Sequence, residues 1–183
     1  MRRVLGAAVV AVVVWAGAAR APAGAEGSAP AGTTPCSFSA EFDLDPGLSV
    51  QPNSGSFTTG GETGTMSCSG PVEGRQPSQP GTFGAEGRYG TTDPDSCLTG
   101  GEGTGVQSFT IPTEQGPVHV VNPITFTYHP VSSTAPGPIP GPIASGEFRG
   151  PRYSGTFDVT ALKGDCVTGP VTRVRLTAQG RLE

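Results

Sequence analysis

The feature that most constrains the fold is a period-two alternation of apolar and polar residues in short stretches along the chain. When extended, the stretch SFSAEFDL directs Phe38, Ala40, Phe42 and Leu44 to one face. Glycine or proline interrupts roughly every ten residues, and no window repeats apolar residues at the three-and-four spacing of a helix. The sequence therefore predicts an all-β fold, an antiparallel β-barrel or sandwich of about nine or ten short strands.

Other stretches support this prediction. VQSFTI, ITFTYH and SGTFDVTAL read as strands, and in TRVRLTAQGRL the alternation places Val174, Leu176 and Ala178 inward and the intervening residues outward. A Gly-X-Phe pattern occurs at 55–57, 81–83, 146–148 and 155–157. Glycine permits a bend or bulge at a strand start, so we expect the phenylalanine that follows it to enter the core.

The first 25 residues have the pattern of a secretory signal peptide, with two arginines, an apolar run from Val4 to Ala19 and small residues before a cleavage site. An apolar run this short, rich in alanine and glycine, is not expected to span a membrane. We therefore expect residues 1–25 to be a signal peptide, 26–35 a flexible leader and 36–183 a single all-β domain. The product is expected to be secreted and extracellular, with no membrane partner after cleavage.

The charge of the mature chain argues against one class of partner. Removal of residues 1–25 takes away three of the eleven basic residues and no acidic one, which leaves eight against fifteen and a net charge of −7. Binding of nucleic acid depends on neutralising phosphates with lysine and arginine. We expect no nucleic-acid partner.

Four cysteines, Cys36, Cys68, Cys97 and Cys166, remain after cleavage. An even number in an exported chain favours two disulfides. Zinc ligands usually occur as closely spaced pairs, whereas the smallest gap here is the 29 residues from Cys68 to Cys97. Three pairings are possible. We expect Cys68 with Cys97, which bracket one hairpin-like unit, and Cys36 with Cys166, which would tie the two ends of the domain.

An acidic group at Glu41, Asp43 and Asp45 occupies alternate positions, so its carboxylates emerge from one face of an extended strand. Three such oxygens suit calcium, which makes these residues the metal candidates of the chain. Charges of this kind also protect an edge strand from pairing with other chains, and we expect this edge role.

An extracellular glycoside hydrolase is an alternative function. It would use two carboxyls that face each other at about five to ten Å across one cleft. Its candidate residues are Glu41, Asp43, Glu86, Asp93, Asp95, Glu102 and Glu147.

His119 and His129 lie in strand-like segments without a nucleophile motif, so we expect them on a polar sheet face.

The segment from Pro136 to Pro142 has proline at every second position, which favours an extended polyproline conformation. We expect a stiff surface connector. Alternatively, the segment docks a partner or is the rigid loop of an extracellular protease inhibitor, and the turn beside Cys97 is a second candidate for that loop.

The glycine-rich stretch 99–105 neither opens a helix nor carries a lysine, so we expect no phosphate-bearing cofactor and no cofactor of another kind.

Several stretches together resemble a group of small secreted actinobacterial proteins without an established activity. They are LDPGLSVQP, GTMSCSG, SCLTGGEGTG, ITFTYH, ASGEFRG and DCVTGPVTRVRLTAQGRL, which span nearly the whole mature chain in order. The resemblance implies a secreted all-β protein and supplies no catalytic residues. Where members of the group often have a tryptophan and an Asn-Gly turn in the middle strand pair, this chain has TFTYH and the proline-rich loop.

These observations together predict a secreted, disulfide-stabilised β domain that works by binding or by coating a surface rather than by catalysis. The contact surface is expected at the concave interior or at a loop end, with a small apolar molecule or a cell-envelope glycan as the partner.

Overall fold

The structure is a computed structural model that describes residues 33–130 and 142–183, and in these residues it is all-β, as the sequence predicts. Nine strands follow one another along the chain: β1 (Thr34–Leu48), β2 (Gly55–Thr58), β3 (Gly64–Cys68), β4 (Gly81–Tyr89), β5 (Gly101–Ile111), β6 (Val118–Pro130), β7 (Ala144–Arg149), β8 (Tyr153–Lys163) and β9 (Val171–Leu182). The predicted signal peptide lies outside the described residues. The predicted leader is too long by two residues, because Thr34 and Pro35 already pair with β9.

The strands close into an antiparallel barrel rather than a sandwich. Each strand from β3 to β8 pairs with the next, and β9 returns to pair with β1. The short strands β2 and β3 share one position between β1 and β4, since Thr58 pairs with Asp43 and Thr65 with Ser39 of β1. Nine strands therefore occupy eight positions around the barrel.

The alternation read from the sequence gives the inner and outer faces of the barrel. Phe38, Ala40 and Phe42 of β1 are buried and face inward, and Val174 and Ala178 of β9 do the same. All eight phenylalanines and all three tyrosines of the chain belong to this inner face. The Gly-X-Phe prediction is thus confirmed at each of its four occurrences.

The connections between strands define two ends of the barrel. The closed end is where the chain passes from β3 to β4 (69–80), β5 to β6 (112–117) and β7 to β8 (150–152). The loop end is where it passes from β1 to β2 (49–54), β4 to β5 (90–100) and β8 to β9 (164–170).

Aromatic side chains fill the interior at the closed end. The rings of Phe38 and Phe83 stack with their centroids 3.8 Å apart, and the ring of Phe148 lies 5.1 Å from that of Tyr153. The hydroxyl of Tyr153 donates a hydrogen bond of 2.8 Å to the carbonyl of Cys36. This half of the barrel is therefore a packed core of the kind that eight strands are narrow enough to form.

A buried amide joins β6 to the turn between β7 and β8. Asn122 is fully buried, and its Nδ2 donates to Oε1 of Gln107 at 3.2 Å and to the carbonyl of Tyr153 at 2.9 Å. Its Oδ1 accepts from the backbone N–H of Arg152 at 2.9 Å and of Tyr153 at 3.3 Å. All the hydrogen-bonding capacity of the amide is used inside the barrel, which makes Asn122 a structural residue.

Two disulfides are present, but their predicted pairing is wrong. Cys36 joins Cys68 and Cys97 joins Cys166. The first, the strand disulfide, links residues that face each other directly on β1 and β3, with Cα atoms 4.1 Å apart. The second, the loop disulfide, links segment 90–100 to segment 164–170 at the loop end. The prediction failed because a long-range strand pairing, β1 with β3, decides which cysteines meet.

Candidate functional site

The inner wall of the barrel is less well covered toward the loop end. Inward-facing aromatic and aliphatic side chains at the closed end are fully buried, among them Phe83, Phe109 and Val120. Toward the loop end, Phe42 and Val174 are buried as well. Six other inward-facing apolar side chains in this half pack against the core but stay partly exposed: Leu44, Phe57, Phe126, Val159, Ala161 and Leu176. These residues occupy inward-facing positions of their strands. We call this inner wall the loop-end wall.

Strand pairing explains why these side chains are close together. Leu44 of β1 pairs with Phe57 of β2, and Val159 of β8 pairs with Leu176 of β9. The ring of Phe57 lies 5.4 Å from the ring of Phe126, edge to face. The loop-end wall is therefore a continuous apolar surface contributed by five strands of the barrel.

Glycines make room for the rings of this wall. A Cβ atom at Gly105 would lie 2.8 Å from the ring of Phe57, and a Cβ at Gly87 would lie 2.6 Å from it. Both glycines are inward-facing positions of β5 and β4, so any larger residue there would push the Phe57 ring out of place. Glycine at these two positions leaves the space that the Phe57 ring occupies.

A single carboxyl group lies in the mouth of the barrel beside this wall. Asp95 belongs to segment 90–100, which folds back so that its backbone N–H and carbonyl bond to those of Asn53 at 2.7 and 2.9 Å. Its side chain contacts Gly101, an inward-facing position at the start of β5, where a Cβ atom would collide with the carboxyl group. Asp95 is only 1% exposed, so its carboxyl is enclosed by the barrel mouth.

The hydrogen bonding of Asp95 is incomplete. Its Oδ1 accepts from the backbone N–H of Glu102 at 3.2 Å. Its Oδ2 and the nearby hydroxyl of Tyr128 are both buried and lack a hydrogen-bond partner among the described residues. Buried polar groups are normally satisfied, so this carboxyl and hydroxyl make the barrel mouth a candidate functional site.

Burial dominates the electrostatics of this cluster. Removal from water raises the pKa of Asp95 above its usual range and the charge of Glu102 adds to this, while two backbone N–H groups and the hydroxyl of Tyr128 oppose it. Burial, followed by the charges of Asp95 and Asp45, raises the pKa of Tyr89 to about 12. Burial and the charge of Asp95 also raise the pKa of Tyr128. Within residues 33–130 and 142–183, no arginine, lysine or histidine forms an ion pair with Asp95.

The acidic group proposed as a metal or edge site is on the outer surface and contacts arginines. Glu41 bonds to Arg175 at 2.8 Å and to Arg173 at 3.0 Å, and Asp43 lies 3.8 Å from Arg173. The edge prediction is wrong, because closure of the barrel leaves β1 paired on both sides. In the part of the chain that the structure describes, no three His, Cys, Asp or Glu side chains are grouped so as to hold a metal ion. Glu41, Asp43 and Asp45 therefore do not form such a group.

The hydrolase candidates do not converge on one cleft. Glu86, Glu102 and Glu147 occupy outward positions of their strands, and Asp93 is exposed on segment 90–100. With Glu41 and Asp43 also outside, Asp95 is the one member of the seven whose carboxyl lies in the barrel mouth. A second carboxyl of that set does not face it, as a glycosidase pair requires.

The histidines lie on the outer face, as predicted. His119 and His129 are exposed, and Nδ1 of His119 lies 2.9 Å from Oγ1 of Thr110 on the neighbouring strand.

Of the proline-rich segment proposed as a docking or inhibitory loop, residues 136–141 lie outside the described residues.

An open groove of about 360 Å³ lies on the outside, between β6 and the turn after β7. It is lined by Pro123, Ile124, Thr125, Arg149, Gly150 and Pro151. The charged group in it, Arg149, is 81% exposed and reaches only Glu147, at 3.6 Å. We therefore place the candidate site at the loop-end wall, where apolar surface and a buried acid occur together.

Two residues of this site could be identified in part from the sequence. The Gly-X-Phe pattern identified Phe57 as inward, and Asp95 was a carboxyl candidate for a different chemistry. Nothing in the sequence marked Phe126 as a neighbour of Phe57, or Tyr128 as a neighbour of Asp95, since both contacts depend on closure of the barrel.

No protein-family model, curated protein or solved structure matches this chain. Among the described residues, the structure has no helix of the length and apolarity needed to cross a membrane.

Proposed function

We propose that this protein is an exported, non-catalytic binding domain that holds a small apolar molecule against the loop-end wall of its barrel. An eight-stranded barrel has an interior that is either filled by its own side chains or wide enough for one small ligand. The closed end of this barrel follows the first alternative, and the loop end supports the second.

The observation that carries the proposal is the partial exposure of inward-facing apolar side chains at one end only. Apolar surface in contact with water costs about 25 cal/mol per Å², so a folded chain normally covers it. Here Phe57, Phe126 and Leu176 are partly exposed at inward-facing positions, while Phe83 and Phe109 are fully buried. A ligand on the loop-end wall would cover that surface.

The distribution of aromatic residues favours an apolar ligand over a glycan. Sugars bound on a protein surface commonly stack on exposed aromatic rings, and every phenylalanine and tyrosine of this chain belongs to the inner face. The outer face instead carries ion pairs such as those between Glu41 and the two arginines of β9.

Two disulfides support an extracellular location. Disulfides persist in oxidising compartments and are rare in the reducing cytosol. Together with the signal-peptide pattern of residues 1–25, this favours export, and the resemblance to small secreted actinobacterial proteins points the same way.

The test compares two tryptophan substitutions at adjacent positions of β9. Leu176 is on the loop-end wall and Thr177 is exposed on the outer face. The ligand probe is N-phenyl-1-naphthylamine, a neutral compound whose fluorescence rises in apolar surroundings, titrated into the exported product of the full chain. We expect saturable binding, weakened about tenfold or more by Leu176→Trp because the indole occupies the ligand's place.

Thr177→Trp is the matched control and should bind the probe like the unmodified protein. Ala161→Phe is a smaller change on the same wall and should weaken binding in the same direction if Leu176→Trp does not fold. Absence of saturable binding, or equal weakening by the inner and outer tryptophans, would contradict the proposal.

A further inference from the structure

The position of Asp95 determines what kind of apolar molecule fits the site. Its carboxyl lies over Gly101 in the barrel mouth, and this glycine pairs with Tyr128 on the neighbouring strand. The hydroxyl of Tyr89, on the strand that pairs with β5 from the other side, donates to the carbonyl of Pro46. The loop-end wall is therefore apolar over most of its area and has one acidic group at its rim.

The environment of that acid is unbalanced. The backbone N–H of Glu102 donates to Oδ1, while Oδ2 has no hydrogen-bond partner among residues 33–130 and 142–183. The charge that acts on it is the negative one of Glu102, while the nearby hydroxyl of Tyr128 favours the carboxylate without completing a hydrogen bond to Oδ2. A buried carboxylate without a cation is costly, and pairing with a positive charge offsets this cost.

We propose that the ligand is an amphipathic amine whose ammonium group binds Oδ2 of Asp95 and whose apolar body lies on the loop-end wall. This inference rests on the proposed function, since it assigns a polar end to the molecule bound inside the barrel. The chemistry is that of a small organic cation with an aliphatic or aromatic body.

The neighbouring rings suit the same ligand. Tyr89 and Tyr128 lie near Asp95 on the two strands that flank β5, and Phe126 lies two residues before Tyr128 on the same inner face. Aromatic faces attract organic cations, most strongly where water is excluded. Because Oδ2 is shielded from bulk water, a hydrogen bond from an ammonium group to it is stronger than at the protein surface.

The experiment uses three probes with the same apolar body: n-octylamine, n-octanol and n-octanoate. Binding to the exported product of the full chain is measured by isothermal titration calorimetry at a pH where the amine is protonated. We expect octylamine to bind about tenfold or more tighter than octanol, because a hydrogen bond to a charged partner contributes more than one between neutral groups. Octanoate should bind most weakly, since its charge has the same sign as that of Asp95.

Asp95→Asn should remove the preference for octylamine and leave octanol binding within about twofold, because the loop-end wall is unchanged. Glu102→Gln is the matched control, since it neutralises the adjacent, outward-facing carboxyl and should keep the preference. Near-ultraviolet circular dichroism checks that both variants keep the native fold.

The outcomes separate the inference from the function on which it rests. If octanol and octylamine bind equally, or if Asp95→Asn leaves the amine preference intact, the inference is wrong and the apolar site stands. If none of the three probes binds, both the inference and the proposed function are wrong. If Glu102→Gln removes the preference as fully as Asp95→Asn does, the assignment to Asp95 is overturned.

Discussion

Replacing Asp95 by asparagine should make the protein more stable at neutral pH, although it should damage the proposed site. The substitution keeps the shape of the side chain and the Oδ1 acceptor for the backbone N–H of Glu102 at 3.2 Å. It replaces the unpartnered Oδ2 by an NH₂ donor beside the Tyr128 hydroxyl, which also lacks a partner among the described residues. A buried polar group without a partner costs about 1–3 kcal/mol, so we expect a gain of about that size at pH 7.

The gain should depend on pH with a defined sign. Burial raises the pKa of Asp95 above its ordinary value of 3.8, so near that value the folded protein binds more protons than the unfolded chain. Stability of the unmodified protein should therefore fall as the pH rises from 3.8 through the folded-state pKa. The advantage of Asp95→Asn should be absent below pH 3.8, where the carboxyl is neutral in both states, and complete above the folded-state pKa.

Asp165 provides a control with the opposite sign. Hydrogen bonds from the backbone and side chain of Thr168 hold the pKa of Asp165 below its usual range. Its stabilising contribution is present above the ordinary value of 3.8 and is lost as the pH falls through the folded-state pKa. Asp165→Asn should thus lower stability at pH 7, and the difference should shrink in acid.

Urea denaturation between pH 3 and pH 8, with the disulfides intact, measures both effects as differences in the free energy of unfolding at equal m-value. A stabilising substitution at a conspicuous buried acid indicates a residue kept for function rather than for stability. An Asp95→Asn variant that is less stable than the parent at pH 7, or equally stable at every pH, would refute the reasoning.

Two further predictions follow from the fold. A mild reductant should open the loop disulfide before the strand disulfide, because Cys97 and Cys166 are both partly exposed while Cys36 is buried. Mass spectrometry after differential alkylation should show this order, and simultaneous reduction of both disulfides would contradict it. Asn122→Ala should lower the free energy of unfolding in urea by about 3 kcal/mol or more, because it leaves several buried groups of β5 and the β7–β8 turn unpaired. Thr125→Ala, an exposed position of the same strand, should change it by less than about 0.5 kcal/mol.

The fold class was predictable because local pattern and burial agree. Inward positions of β1 such as Phe38 and Phe42 follow from alternation alone, and the turns follow from glycine and proline. Closure of the sheet was not predictable, because the pairing of β9 with β1 joins segments more than a hundred residues apart. For this reason the edge role of Glu41 was wrong although its outward orientation was right.

The candidate site was only partly predictable for a related reason. Asp95 lies in an Asp-Pro-Asp stretch that reads as an ordinary turn, and its inward orientation depends on the backbone pairing of segment 90–100 with Asn53 and on the space left by Gly101. Apolar residues such as Leu176 look alike in sequence whether they are fully buried or line a binding surface. Their partial exposure is a property of the assembled barrel.

The most direct test of the central claim is a methyl-resolved NMR titration of the exported product with n-octylamine. Binding at the loop-end wall predicts shifts of the methyl signals of Leu44, Val159 and Leu176, whereas Val120 at the closed end and Val121 on the outer face should not move. Shifts centred on Val121 or Val120, or no saturable shift at the three wall residues, would contradict a ligand site inside the loop end of the barrel.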